Sequence, residues 1–182
     1  QAIDATNVIY FSGITLAILP ETDREVLLRL AREAKETHKM VIFDPNIRPA
    51  LWPDAQTIRD TIHTAASCAT LVLPSFDDEA AAFGDNTPEA TLSRYRSVTD
   101  ATLVLKNGAR HVLVQEQGAV QTFETKPVSH PIDTTGAGDS FNGAVVAALA
   151  SDVSMADAVL AGQSCAAKVI CTLGALVPHD QL

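Results

Sequence analysis

Positive charge is scarce in this chain: 13 lysines and arginines stand against 22 aspartates and glutamates, a formal net charge of −9. That balance argues against a broad nucleic-acid face, which needs clustered Lys and Arg to meet the phosphates. It also means that an anionic ligand must be held by a few local donors. Cysteine is nearly absent. Cys68, Cys165 and Cys171 form an odd set with no CxxC pair, and each lies among small apolar residues, so they read as packing in a reducing cytoplasm. Long apolar runs are missing as well: none reaches the roughly 18 residues a membrane-spanning helix needs, and no membrane partner is expected. His38, His63, His111, His130 and His179 share no metal-ligand spacing and read as solvated or edge residues. No repeat, low-complexity tract or linker divides the chain, so residues 1–182 read as a single domain. There is no initiating methionine at Gln1, and sequence upstream is expected.

What is present is an alternation of short apolar runs with amphipathic stretches. Asn7 to Phe11 reads as a buried strand that ends at Ser12-Gly13 and passes into a loop. From Glu21 to Lys39, Val26, Leu27, Leu30 and Ala34 recur at helical spacing, with acids early and Lys35, His38 and Lys39 late, the order a helix dipole favours. Val41-Ile42-Phe43 is a strand stopped by Asp44-Pro45-Asn46, and a helix of about ten residues after Pro53 leads to a strand over Thr70 to Leu73. Helices are predicted over Asp77 to Phe83 and Thr91 to Val98, and a strand over Thr102 to Lys106 turns at Asn107-Gly108. His111 to Gln115 and Val120 to Glu124 flank Gln117-Gly118 as an antiparallel hairpin at the sheet edge. Two helices follow, Gly136 to Leu149 and Met155 to about Thr172. The order predicts an α/β fold, a mostly parallel sheet with helices on both faces and ligands at the carboxyl ends of its strands.

The stretch richest in chemistry runs from Ile132 to Gly143, where Asp133-Thr134-Thr135-Gly136-Ala137-Gly138-Asp139 joins a glycine-rich turn to a helix start. Gly136 and Gly138 remove side chains where backbone must approach a ligand, and the first-turn N–H groups then point at it. Phosphoryl transfer needs such donors, because charge spreads over the transferred oxygens and preorganised dipoles stabilise it. Asp139 follows directly, where its carboxylate can accept the proton of an attacking hydroxyl late in the transfer. Asp139 and Thr135 also suit an ordinary helix cap. The stretch is not a Walker A loop, since Gly-Lys-Ser/Thr is absent.

This segment resembles the second signature of the ribokinase-like PfkB carbohydrate kinases, D-T-x-G-A-G-D. The resemblance implies a three-layer αβα sandwich whose amino-terminal strands and lid lie upstream, so that the chain is the carboxy-terminal part of the kinase domain. It implies ATP and Mg²⁺ as cofactors, with a monovalent cation beside them. Asp139 is then the catalytic base, the backbone of Gly136, Ala137 and Gly138 the anion hole, and Asp133 part of the monovalent-cation site. Leu73-Pro74-Ser75-Phe76-Asp77-Asp78-Glu79 is similar to the family's N-x-x-E region. Ser75 stands for the asparagine, on the nucleotide side, and Asp78 for the glutamate near Mg²⁺, with Glu79 as a competitor; a plain helix start has the same residues. Lys106-Asn107-Gly108 resembles the stretch along the nucleotide phosphates, to which Lys106, Gly108, Thr135 and Gln163 would contribute, although an Asn-Gly turn needs no ligand.

A second element bears on the acceptor. Asp44-Pro45-Asn46-Ile47-Arg48-Pro49-Ala50-Leu51-Trp52 follows a strand, where ligands bind. With Tyr10-Phe11-Ser12-Gly13 it resembles the 2-keto-3-deoxygluconate kinases of that family. The resemblance implies a sugar-acid substrate bound by Arg48 and Asn46 beside Asp139. A guanidinium fork matches a carboxylate in two hydrogen bonds; pairing with a nearby acid is the plainer use of Arg48, and packing that of Trp52. The resemblance also implies a homo-oligomer at full length, because family dimers use the lid.

Overall fold

A computed structural model describes residues 5–178; His179 lies outside them. The chain runs β1 (Val8–Ser12), α1 (Gly13–Ile18), α2 (Glu21–Glu36), β2 (Met40–Asp44), a 3₁₀ turn (Pro49–Leu51), α3 (Ala55–Ser67), β3 (Leu71–Val72), α4 (Phe76–Phe83), α5 (Pro88–Arg96), β4 (Thr102–Asn107), β5 (His111–Glu116), β6 (Ala119–Glu124), α6 (Ala137–Leu149) and α7 (Met155–Val169). The strands form one sheet in chain order, β1 to β6. Pairs β1–β2, β2–β3 and β3–β4 are parallel. The connections β4–β5 and β5–β6 are too short for a parallel crossover, which needs a dozen or so residues, so the edge is an antiparallel meander. The described residues form two compact units, one reaching to Gly108 and including Leu113–Thr122, the other Ala109–Val112 with the chain from Phe123 on.

In the first unit β2, β3 and β4 are buried on both faces, as parallel strands inside a sheet are. Val41, Phe43, Leu103 and Leu105 join Phe11, Leu16, Leu28, Ile58, Ile62 and Tyr95 in one core, while Ile42 and Val104, of opposite pleat, are also buried. Helix α2 buries Leu28, Ala31 and Ala34, a stripe at helical spacing, and has Glu21 and Asp23 in its first turn and Lys35 in its last. In the second unit α6 and α7 pack closely because a β-carbon on Gly162 would come within 2.8 Å of the Phe141 ring.

Several boundaries differ from expectation for local reasons. The loop expected after Ser12 is the helix α1: Ser12 and Thr15 form a capping box, and Gly13 packs so tightly that a β-carbon there would lie 1.9 Å from the Pro45 carbonyl oxygen. Helix α5 begins at Pro88 rather than Thr91, since Thr87 caps it and proline suits the first helical position. Helix α3 is 13 residues long, capped by Asp54. Cys68 is buried as expected, but Cys171 is exposed. His63 is not solvated: its ring stacks on Phe83 at 5.0 Å and meets the Arg94 guanidinium at 3.2 Å.

Candidate active site

Two constructions carry the chemistry, one in each unit. In the first, the carboxyl ends of β2, β3 and β4 converge. Beyond β2 the chain turns sharply at Asn46, whose φ of 34° lies in the left-handed region that asparagine tolerates. Ile47 and Trp52 are buried on either side and anchor the loop, leaving Arg48 half exposed between them. Arg24 lies over the Trp52 ring at 5.1 Å, so Trp52 packs. Arg48 Nη1 donates to its neighbour's carbonyl at 2.8 Å and to Asp78 Oδ2 at 3.2 Å. The structure thus brings together the residue expected to hold the sugar acid and the residue expected near Mg²⁺.

Below them sits a buried charge. Asp44, 4% exposed, accepts a hydrogen bond from the Tyr10 hydroxyl at 3.1 Å and lies 4.0 Å from the Lys106 ammonium. Lys106 is largely buried, and its Nζ also donates to the Leu73 carbonyl at 2.8 Å. Ser75 is bridged to Lys106 across the strand ends and caps α4 without a side-chain hydrogen bond. Gly108 is exposed at the start of the turn, with a φ of 54°. Asp44 is more than the strand stop its place before Pro45 predicts; an aspartate opening the Asp-Pro-Asn turn is the local signal of this buried position beside Lys106.

The competing acid, Glu79, faces inward. It is fully buried, its Oε2 accepts from Arg94 at 2.7 Å and its Oε1 from the Tyr95 hydroxyl at 2.8 Å. Arg94 also bridges to Asp85 at 2.7 Å. Burial pushes the Glu79 carboxyl up to about 7, against the pull of Arg94. With both oxygens taken inside the core, Glu79 has a structural place and Asp78 is the acid that reaches the strand ends.

In the second unit the Asp133–Asp139 turn is held by its own first residue. Asp133 accepts the Thr135 N–H on one oxygen and the Gly174 N–H on the other, each at 2.9 Å. Hydrogen bonding by Thr135, then by Gly174, holds its carboxyl below the usual value. Gly136 caps α6 in the left-handed conformation, φ 77°, and a β-carbon there would meet that of Ala175 at 2.9 Å. Among the described residues no side chain caps this helix, so neither Thr135 nor Asp139 fills the plainer role of a cap. The Ala137 N–H reaches the Thr134 carbonyl at 3.2 Å. The next two N–H groups, of Gly138 and Asp139, have no acceptor among the described residues, as helix geometry dictates. The space where a Gly138 β-carbon would stand is open, and Asp139, the third helical residue, is exposed. An uncapped, glycine-lined helix start beside a carboxylate suits a phosphate group. Gln163, expected near the nucleotide, donates to the Phe123 carbonyl and the Thr125 hydroxyl, each at 3.1 Å, and so ties α7 to the end of β6. Among the described residues no three His, Cys, Asp or Glu side chains are grouped to hold a metal ion. A nucleotide-bound Mg²⁺ needs only one or two carboxylates, the remaining ligands being phosphate and water.

Polar residues at the strand ends of an α/β sheet and a glycine-rich helix start stand where ligands and phosphate groups bind in such folds. The chain belongs to the pfkB family of carbohydrate kinases, whose profile matches residues 1–181. It is similar to the 2-dehydro-3-deoxygluconokinase of Escherichia coli K12, 36% identical over 177 residues that cover 96% of this chain and 57% of that protein. Among solved structures it resembles the aminoimidazole riboside kinase of Salmonella enterica in complex with aminoimidazole riboside and an ATP analogue, with a TM-score of 0.82 and 28% identity over 92% of this chain and 57% of that one. It also resembles the fructokinase of Vibrio cholerae O395 bound to fructose, ADP and calcium, with a TM-score of 0.81 and 27% identity over 92% of this chain and 56% of that one. These are ribokinase-like folds, in line with the α/β class expected. The chain spans little more than half the length of the relatives it matches.

Proposed function

We propose that this chain is the carboxy-terminal part of a single sugar-kinase domain that transfers the γ-phosphoryl group of ATP to a hydroxyl of 2-keto-3-deoxy-D-gluconate, giving the 6-phosphate. The start of α6 carries the reading: a left-handed glycine cap, first-turn N–H groups with no acceptor among the described residues, and Asp139 beside them. Asp139 accepts the proton of the attacking hydroxyl as the new O–P bond forms and the bond between the β,γ-bridging oxygen and the γ-phosphorus breaks, releasing ADP. The Gly136-Ala137-Gly138 backbone meets the developing charge, with the Gly138 N–H as its unengaged donor. Ser75, Lys106, Gly108, Thr135 and Gln163 border the nucleotide, Asp78 serves Mg²⁺, and Asp133 orders the turn beside a monovalent cation. Arg48 and Asn46 bind the acid sugar, with Arg48 exchanging Asp78 for the substrate carboxylate. A cytoplasmic setting, supported by free cysteines, and a homo-oligomeric full-length protein complete the reading.

A neutral-sugar kinase is the second reading, favoured by the Arg48–Asp78 pair, which gives the arginine a role without an acidic substrate. The experiment is ATP-dependent phosphorylation by the full-length protein of 2-keto-3-deoxygluconate beside fructose and ribose. Turnover of the sugar acid, lost by about 10²–10⁴-fold in Asp139→Ala, is the expected result. Turnover of neutral sugars alone selects the second reading, and ATP binding without transfer to any of them rejects a kinase.

A further inference from the structure

Arg48 and Asp78 reach each other from different elements. Arg48 follows the turn at Asn46 beyond β2, and Asp78 stands in the first turn of α4, 30 positions further along the chain. Their contact, 3.2 Å from Nη1 to Oδ2, is open to water, the two side chains being 51% and 31% exposed. The same Nη1 donates to the Ile47 carbonyl, while the Asp78 carboxylate has no other hydrogen-bond or ion-pair partner among the described residues. Each residue is thus the other's single charged partner. Glu79, the next residue of the helix, shows the opposite case: both its oxygens are held inside the core by Arg94 and Tyr95, where no ligand can exchange with them.

An ion pair in contact with solvent gives way at little cost, which is the property a pair needs if ligands are to part it. The reaction proposed above assigns an acidic acceptor to Arg48 and Mg²⁺ to Asp78. When the guanidinium turns its fork to a substrate carboxylate, Asp78 is released from its only partner. When Asp78 serves a cation, Arg48 loses the carboxylate that competes with the substrate. Whichever ligand arrives first parts the pair, the second no longer has to, and linkage makes the gain the same in both directions.

We infer that the Arg48–Asp78 pair is a latch that couples the acceptor to the metal and so helps to determine acceptor selectivity. It is closed when neither ligand is bound, and an acidic acceptor or the Mg²⁺-nucleotide opens it for the other. A neutral sugar offers the guanidinium no charge in exchange for Asp78 and gains nothing from the coupling. The inference rests on the sugar-acid reading and adds to it that Asp78, besides serving the metal, holds the substrate arginine until an acid replaces it.

Calorimetry on the full-length protein tests this, with 2-keto-3-deoxygluconate, fructose, and Mg²⁺ with a non-hydrolysable ATP analogue as the ligands. In Asp78→Asn the sugar acid alone should bind about 2–5-fold more tightly than in wild type, the worth of an exposed ion pair. In wild type the Mg²⁺-analogue should tighten the sugar acid by a similar factor, and the sugar acid the analogue; Asp78→Asn should lose this gain. Asp77→Asn removes the neighbouring exposed charge, which lies outside the pair, and should change neither quantity, so that parting the pair is told from a general change in field. Urea midpoints of both variants measured beside wild type separate altered binding from altered folding. Sugar-acid affinity that Asp78→Asn leaves level or weakens, or that Asp77→Asn raises equally, overturns the latch and leaves the sugar-acid reading standing. Independent binding of sugar acid and analogue in wild type does the same. Absence of sugar-acid binding, with or without binding of fructose, overturns that reading and the latch with it.

Discussion

The two candidate constructions prepare for anions in opposite ways. At the strand ends of the first unit the charges are on side chains and already have protein partners: Arg48 with Asp78, Lys106 near Asp44. At the glycine turn of the second unit the donors are backbone N–H groups, and two of them have no acceptor among the described residues. The difference follows from what each group needs. A buried ion must be neutralised by the fold itself, so a ligand there has to displace a partner. A helix terminus is left unsatisfied by geometry, so a ligand there displaces only water.

The largest effect on stability is expected where a charge pair is fully enclosed. Glu79→Ala strands the Arg94 guanidinium and the Tyr95 hydroxyl and should cost about 3–5 kcal/mol in urea unfolding. A loss under about 1 kcal/mol would place the pair with exposed ones and break the contrast. Next come the two glycines of the turn. Gly136→Ala combines left-handed backbone with a collision at Ala175 and should destabilise by about 1–3 kcal/mol. Gly138→Ala meets open space and should leave the unfolding midpoint within about 0.5 kcal/mol while its methyl group weakens ATP binding measured by calorimetry. Equal destabilisation by both would show that the turn is shaped for packing alone.

Smaller again is the Arg48–Asp78 pair. Both side chains keep solvent contact, so Asp78→Asn should change stability by less than about 1 kcal/mol. Arg48→Ala should raise the KM for a sugar acid by about 10–100-fold, the worth of a charge-assisted hydrogen bond, without touching neutral sugars. The response to pH has opposite signs in the two units. Glu79 is raised to about 7 from 4.5, so its stabilisation is complete below the lower value and lost as pH rises through the upper one. Asp133 is lowered from 3.8, so its stabilisation is present above that value and lost as pH falls through the depressed one. Unfolding free energies of wild type and Glu79→Gln, compared at pH about 5 and about 8, should diverge in the variant's favour at the higher pH.

Much of this was legible from residues close together in the chain. Helix α2, the strands over Val41–Phe43 and Thr102–Lys106, and the turn from Asp133 to Asp139 all depend on neighbours within a few positions and formed where the spacing placed them, although α2 buries Leu28, Ala31 and Ala34 and leaves Val26 of the expected stripe exposed. Helix α1 was legible too, in the Ser12 and Thr15 spacing, but Gly13 obscured it. The partners were not. Arg48 meets a residue 30 positions away, Gln163 one 40 away and Asp133 one 41 away.

The sequence by itself determined the alternation of strands and helices, the glycine-rich helix start and the family, because periodicity, turn chemistry and a contiguous motif are local properties of the chain. Only the tertiary structure decided that Asp78 faces the strand ends while Glu79 turns into the core, that Asp44 sits under Lys106, and that Gln115 Oε1 is orphaned. Two adjacent residues on a helix point about 100° apart, and which of them meets solvent is set by what the fold packs against each side.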